Sequence, residues 1–304
     1  MTHWCLAPFC LTLLFLIMND LHHVFVYGTL QRGCSNHVLL SGSAFLGAAV
    51  TRAPFVLRTL VGEDGQRGIP FVGADLPIGP VHGEVFLVED RTLVELDRME
   101  GYVPGDPDAS WYRRETVNVS MGERLIEAFM YFHERPASPL VSTGRWRDAK
   151  RLVDACFYFA YGSNMNPERM QERGVPFDQC LPATLPGHAL AFNKRGQGGA
   201  EAYAHAMQEP GQDFPGLLYR VSDRGMQALD RYEGVHGGHY HRVAMNVDLG
   251  KVHGLPSKRT KAWVYFAGEA HIEEGLPVSK RYLAHIRRGH AILGLSGDPR
   301  QRRA

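Results

Sequence analysis

Residues 83–102 read GEVFLVEDRTLVELDRMEGY, and residues 216–235 read GLLYRVSDRGMQALDRYEGV. At an offset of 133, Gly83/Gly216, Val88/Val221, Asp90/Asp223, Arg91/Arg224, Leu96/Leu229, Asp97/Asp230, Arg98/Arg231, Glu100/Glu233 and Gly101/Gly234 are identical. Two further blocks keep that spacing to within one residue. An offset of 134 lays Tyr27-Gly28 on Tyr161-Gly162 and EAFMYF (127–132) on KAWVYF (261–266). Three blocks in one register mark an internal repeat. The chain reads as a tandem duplication: an apolar extension at 1–18, one unit at 19–151 and a second at 152–304. The join between the units, HERPASPLVSTGRWRDAKRLVDA, carries the Pro, Ser, Gly and charge of an inter-domain segment.

Each unit has a mixed pattern. HVFVYG and FYFAYG are short aromatic and β-branched runs closed by glycine, which predicts buried strands entering a turn. GEVFLV, ETVNVSM and EAFMYF, with their partners GLLYRV, HRVAMNVDL and KAWVYF, read as further strands. EDRTLVELDRME and SDRGMQALDRYE read as helices opened by an Asp or Ser cap. PVSKRYLAHIRRGHAIL predicts a last helix with Leu283, Ile286 and Leu293 on one face, Pro277 at its start and Gly294 at its end. Strands outnumber helices, so the expected class is α+β, a small curved or barrel-like sheet with helices outside it.

Composition bounds the function. A length of 304 residues suits two domains of common size, and 44% hydrophobic with 21% charged residues supports a buried core in each. Thirty-three basic residues against 32 acidic give a net charge of +1, which argues against an overall grip on nucleic acid or an anionic membrane. Cys5, Cys10, Cys34, Cys156 and Cys180 form no C-x-x-C pair, the usage of reduced thiols in a cytoplasm. The apolar stretch 4–18 is short for a membrane span, which needs about 20 residues, and lacks the flanks of a signal peptide. Met18 opens MNDLHHVFVYGTL, so 1–17 read as an upstream extension or misassigned start, with an uncleaved anchor as the second reading.

On the helix 90–100, at about 100° per residue, Glu100 falls on the apolar face beside Leu93 and Leu96. Glu233 shares a face with Met226 and Leu229 in the same way. A carboxyl turned toward a core is costly unless it is paired or functional, and partial burial raises its pKa toward the range of a proton shuttle. A helix that ends before the glutamate would instead leave it exposed. Tyr27-Gly28-Thr29-Leu30 and Tyr161-Gly162-Ser163-Asn164 supply the complement. A strand turning at glycine presents backbone N–H groups that can hold a carboxylate or an oxyanion. Tyrosine and glutamate lie 73 residues apart in the first copy and 72 in the second.

VFVYGTLQRGCSNHVLL with LDRMEGY resembles the gamma-glutamylamine cyclotransferase branch of the gamma-glutamylcyclotransferase-like superfamily. FAYGSNMNPERM, LDRYEGVHGGHYHRV and GLPVSKRYLAHIRRGHAILGL resemble its gamma-glutamylcyclotransferase branch, and together the likeness spans about 22–296. The resemblance implies a small mixed β-barrel with flanking helices in each copy, and a pocket between loop and glutamate. It implies release of an amine or amino acid from a gamma-glutamyl compound with closure of the glutamyl part to 5-oxoproline, a lyase-type acyl transfer needing no metal or cofactor. Tyr27, Gly28, Thr29 and Leu30 would line one pocket with Glu100 as its acid/base. Tyr161, Gly162, Ser163 and Asn164 would line the other with Glu233, and Tyr240 would join it. The first copy departs in GYVPGDPDASWYRR, which delays its tyrosine to Tyr112.

Two rivals stand beside this. Ser163 or Thr29 could be the nucleophile of an amidohydrolase, although no G-x-S-x-G elbow surrounds either. The first copy could be a non-catalytic gamma-glutamyl-binding module. His236, His239 and His241 in a glycine loop read as an exposed segment rather than a metal site. RGQGGAEAY lacks the Gly-Lys-Ser/Thr ending of a phosphate loop. The expected partner is a small gamma-glutamyl substrate, with a membrane contact only if 4–18 is an anchor.

Overall fold

The structure is a computed structural model that describes residues 20–61, 67–136, 138–149, 152, 155–249 and 258–301. The apolar extension 1–18 and most of the end of the join, 150–154, lie outside the described residues.

The first copy builds a closed five-stranded barrel from β1 (Leu21–Val26), β2 (Ala44–Thr51), β5 (His82–Glu89), β6 (Arg113–Met121) and β7 (Arg124–Phe132), in the order β1-β5-β2-β6-β7. The second builds the same barrel from β8 (Ala155–Ala160), β9 (Phe177–Arg195), β10 (Ala202–Ser222), β11 (Tyr240–Leu249) and β12 (Lys258–Ala267). Each closes by one parallel pairing, Val24 with Phe129 and Tyr158 with Trp263, which correspond at the 134-residue offset. Closure removes the open edges that small sheets otherwise expose. The α+β barrel class expected from the strand-rich pattern is therefore present twice.

Among the described residues the α-helices are α1 (Asp90–Glu100), α2 (Pro167–Glu172), α3 (Asp223–Tyr232) and α4 (Lys280–Ile292). Ser222 caps α3 by accepting from the Gly225 N–H, as its sequence suggests. In the first copy Glu89 is the N-cap, and Asp90 is the first helical residue, where its charge complements the helix dipole. α4 begins three residues after Pro277, with Ser279 accepting from the Tyr282 N–H. Leu283, Ile286 and Ile292 are its buried apolar residues, with Leu293 partly covered at the end.

Sequence reading missed β2, β9 and a hairpin of β3 (Val56–Val61) with β4 (Arg67–Gly73). That hairpin lies inside the first repeat, yet the compact units divide differently from the repeats. One unit joins the stretch ending at Ala53 to His82–His133; the other joins Pro54–Val81 to Glu134–Ala304. Within the second unit, Val56 and Ile78 enter the core of Met170, Phe177, Tyr219 and Leu229. Val141 N–H donates to the Leu57 carbonyl at 2.7 Å, and Arg288 on α4 donates to the Pro77 carbonyl at 2.6 Å. Arg58, 2% exposed, is held by both oxygens of Asp75. The first repeat therefore lends a segment to the core of the second unit.

Candidate active site

Both glutamates stand at the C-terminal end of their helices. Glu100 is the last residue of α1, and Glu233 is the C-cap of α3. Gly101 and Gly234 follow with φ of +64° and +66°, a left-handed turn that side-chain-bearing residues disfavour. This explains the repeated Glu-Gly: the glycine ends the helix and leaves the carboxylate half-buried at its terminus, next to Leu93 and Leu96 or Met226 and Leu229.

In the second unit the sequence-predicted residues converge. β8 ends at Ala160, and Tyr161, Gly162, Ser163 and Asn164 turn beneath Glu233. The Asn164 side-chain amide donates to Glu233 Oε1 at 2.9 Å and to the Tyr158 hydroxyl at 2.8 Å. Arg173, just past α2, donates to the same glutamate oxygen at 3.0 Å and to Asn164 Oδ1 at 2.7 Å. Asn166 caps α2 by accepting from the Glu168 N–H, and Pro167 occupies its first turn, so the loop leads directly into the helix carrying Arg169. Tyr240 donates to the Ala204 carbonyl at 2.8 Å; Tyr161 donates to the Tyr265 carbonyl. Tyr282 on α4 receives the Ala204 N–H at 3.0 Å and fills the space that a Cβ on Gly162 would occupy. Burial, reinforced by the Glu233 charge, pushes the Tyr161 and Tyr282 hydroxyls well above the usual phenol range, and Tyr240 is raised chiefly by burial, so all three stay protonated donors.

The cleft opens outward past Ser163, Tyr240 and Tyr282 to Arg169, Lys194, Gln197 and Tyr203, a space of about 230 Å³. Lys194 is 3% exposed and sits 4.9 Å over the Tyr240 ring, and burial pushes its ammonium pKa down. RGQGGAEAY is thus the turn from β9 to β10, with Gln197 and Gly198 on the wall of the outer cleft. Ser163 accepts from Arg169 Nε at 3.1 Å. His236 and His241 are exposed, and His239 stacks on His271 at 4.0 Å and bonds Lys194. Among the described residues no group of three or more His, Cys, Asp or Glu stands as a metal-ligand set.

In the first unit the loop and glutamate have different neighbours. Gln31 donates to the Tyr27 carbonyl, and its own N–H donates to the Gly28 carbonyl. Asn36 donates to the Thr29 hydroxyl at 3.0 Å. Leu30 and Val24, both buried, occupy the positions of Asn164 and Tyr158. Among the described residues Glu100 has no hydrogen bond or ion pair, and burial alone pushes its carboxyl pKa up to about 7. The delayed Tyr112 regains register: it lies two residues before Arg114, as Tyr240 lies two before Arg242, and it is buried.

Tyr158, Arg169, Arg173, Lys194, Tyr203, Tyr265 and Tyr282 were not picked out from sequence. Only Tyr265 carried a usable signal, since EAFMYF and KAWVYF keep a tyrosine at 131 and 265. No described helix is long and apolar enough to cross a membrane.

Comparison with known proteins identifies the family of the chain. The chain fits the family described as Gamma-glutamyl cyclotransferase, AIG2-like, twice, over residues 24–148 and 158–284. YkqA of Bacillus subtilis is 28% identical over 245 residues, 78% of this chain and 81% of its own. The YkqA crystal structure aligns over 90% of this chain and 92% of that one at 25% identity, with a TM-score of 0.39. The mouse protein named Gamma-glutamylcyclotransferase is 33% identical over 97 residues, 30% of this chain and 50% of its own. Gamma-glutamylaminecyclotransferase C of Danio rerio is 33% identical over 123 residues, 36% of this chain and 74% of its own. With the family pattern matched once in each barrel, the chain belongs to the gamma-glutamyl cyclotransferase, AIG2-like family as a tandem protein.

Proposed function

We propose that the chain is a gamma-glutamyl cyclotransferase that releases an amine or amino acid from a gamma-glutamyl compound and forms 5-oxoproline. Glu233 is the acid/base of the second copy and Glu100 that of the first. The observation that carries the reading is the Glu233 carboxylate, held by Asn164 and Arg173 above a loop and ringed by protonated tyrosines. Family membership supports the reaction class.

The substrate's α-ammonium gives a proton to Glu233. Its freed nitrogen attacks its own γ-carbonyl carbon, forming the ring C–N bond. The oxyanion that develops is held by N–H groups of the 161–164 loop. The bond to the leaving nitrogen then breaks, and Glu233 returns its proton to that nitrogen. Attack leaves the ring nitrogen with a second proton to lose; Glu233, ionised again, carries that proton too to the released amine, giving the lactam N–H and an ammonium. Both protons are then accounted for without water, and one carboxyl suffices because the nucleophile belongs to the substrate. Folding the glutamyl chain for ring closure lowers the barrier through proximity. Arg169, Arg173 and Lys194 complement the α-carboxylate that every gamma-glutamyl compound carries.

The amidohydrolase reading is disfavoured by Ser163, whose hydroxyl accepts from a guanidinium rather than donating to a base. The test is product identity over a panel of gamma-glutamyl amino acids, peptides and amines. The expected result is 5-oxoproline, reduced about 10²- to 10⁴-fold on second-copy substrates by Glu233→Gln and only weakly by Ser163→Ala. Release of free glutamate, abolished by Ser163→Ala, would establish the hydrolase.

A further inference from the structure

The first contacts of Glu100 and Glu233 differ, yet one set of contacts behind them is the same in both units. In the first, the Tyr27 hydroxyl donates to the Tyr131 carbonyl at 2.8 Å, and the Tyr131 hydroxyl donates to Asp97 Oδ1 at 2.7 Å. Arg114 donates to both Asp97 oxygens, at 2.8 and 2.6 Å. In the second, Tyr161 donates to the Tyr265 carbonyl, Tyr265 donates to Asp230 Oδ1 at 2.7 Å, and Arg242 lies 3.3 Å from Asp230. The register agrees as well: Arg114 pairs across the strands with Tyr131, and Arg242 with Tyr265. Each guanidinium also covers an aromatic ring two residues before that tyrosine, Phe129 at 4.6 Å and Trp263 at 4.9 Å.

The path runs from the loop, through a barrel strand, to the helix bearing the glutamate. Asp97 and Asp230 sit three residues before Glu100 and Glu233, so they share roughly a face with them. Pinning the aspartate fixes both the rotation of the helix end and its height along the barrel. We infer that Tyr131-Asp97-Arg114 and Tyr265-Asp230-Arg242 are the positioning residues of the two glutamates, setting each at a fixed distance from the loop of Tyr27 or Tyr161. The inference rests on the proposed roles of Glu100 and Glu233. Its support is that the duplication has kept this set while the direct partners of the glutamates have changed.

Tyr→Phe is the informative change, because it removes one hydroxyl and leaves the ring and the Asp–Arg pair in place. In the full chain, Tyr265→Phe should lower kcat for 5-oxoproline formation on second-copy substrates about ten- to a hundredfold, with KM within about twofold and the protein still fully folded at the assay temperature. In a Glu233→Gln background it should cost nothing further. A second readout does not depend on activity: ¹³C NMR titration of Glu100, assigned by its disappearance in Glu100→Gln. Wild type should titrate at about 7, and Tyr131→Phe should bring that down by a unit or more as the helix end loosens toward water. An unchanged Glu100 titration, a kcat loss that follows the folded fraction, or an equal loss in the Glu233→Gln background would overturn the inference. If no panel member yields 5-oxoproline, the functional reading fails, and the Glu100 titration still decides the positioning.

Discussion

Glu100 and Glu233 end corresponding helices and are followed by the same left-handed glycine, yet they stand in opposite surroundings. Glu233 shares an oxygen with Asn164 and Arg173, and Asn164 in turn leans on Tyr158. Glu100 has hydrocarbon from Leu93 and Leu96 on its own helix face and no partner among the described residues. The exchange is coordinated: where Asn164 donates to the Tyr158 hydroxyl in one copy, Leu30 and Val24 fill the matching positions in the other. A polar pair has been replaced whole by an apolar pair, which avoids leaving a buried hydroxyl or amide unsatisfied. The shared frame of barrel, helix end and Tyr–Asp–Arg set therefore tolerates two chemistries around the carboxylate.

That comparison can be broken at several points. The largest effect concerns the uneven units. Residues 152–304 expressed alone lack Val56, Ile78 and the β3–β4 hairpin from their core, and should show no cooperative unfolding transition; fusing 54–81 to them should restore one. A cooperative transition without 54–81 would mean that the hairpin is dispensable.

Next is the isolated carboxyl. Burial raises the folded-state pKa of Glu100 from 4.5 to about 7, so the folded protein binds that proton more tightly than the unfolded chain. Its stability contribution is therefore intact below 4.5 and falls as pH rises toward 7. Glu100→Gln should stabilise the protein by about 2–3 kcal/mol above pH 7 and by almost nothing at pH 4.5, read from urea midpoints. A stabilisation that does not vary with pH would show that Glu100 is not a desolvated carboxyl. Kinetically, activity remaining in Glu233→Gln should climb with pH through about 7 as Glu100 ionises.

The smallest effect tests the exchanged pair. Tyr158→Val and Asn164→Leu should each cost about 1–3 kcal/mol, because each strands a buried polar group, while the double change should cost clearly less than their sum. Additive losses would mean that the pair does not act as a unit.

Much of this frame was legible in the sequence. The repeat exposed itself through Asp97/Asp230 and Glu100/Glu233, and period-two aromatic runs marked β1, β7 and their counterparts. The apolar angle of Glu100 already placed it at a core boundary. What stayed hidden is tertiary. Arg173, Lys194 and Tyr282 come from the end of α2, β9 and α4, Arg173 being the residue that caps α2, and nothing local in those stretches says that they share a cleft. Tyr158 reads as an ordinary strand aromatic until its hydroxyl is seen to meet Asn164. The β3–β4 hairpin escaped because its apolar residues are paired with the core of the other repeat, which no short-range pattern encodes.

The measurement that reaches the central claim most directly is 5-oxoproline release over the gamma-glutamyl panel by wild type, Glu100→Gln, Glu233→Gln and the double variant. Two working glutamates in different surroundings predict that each single change removes a different subset of substrates and that the double change removes all of them. Wild-type-like release by the double variant, or loss of the same subset in both singles, would contradict it.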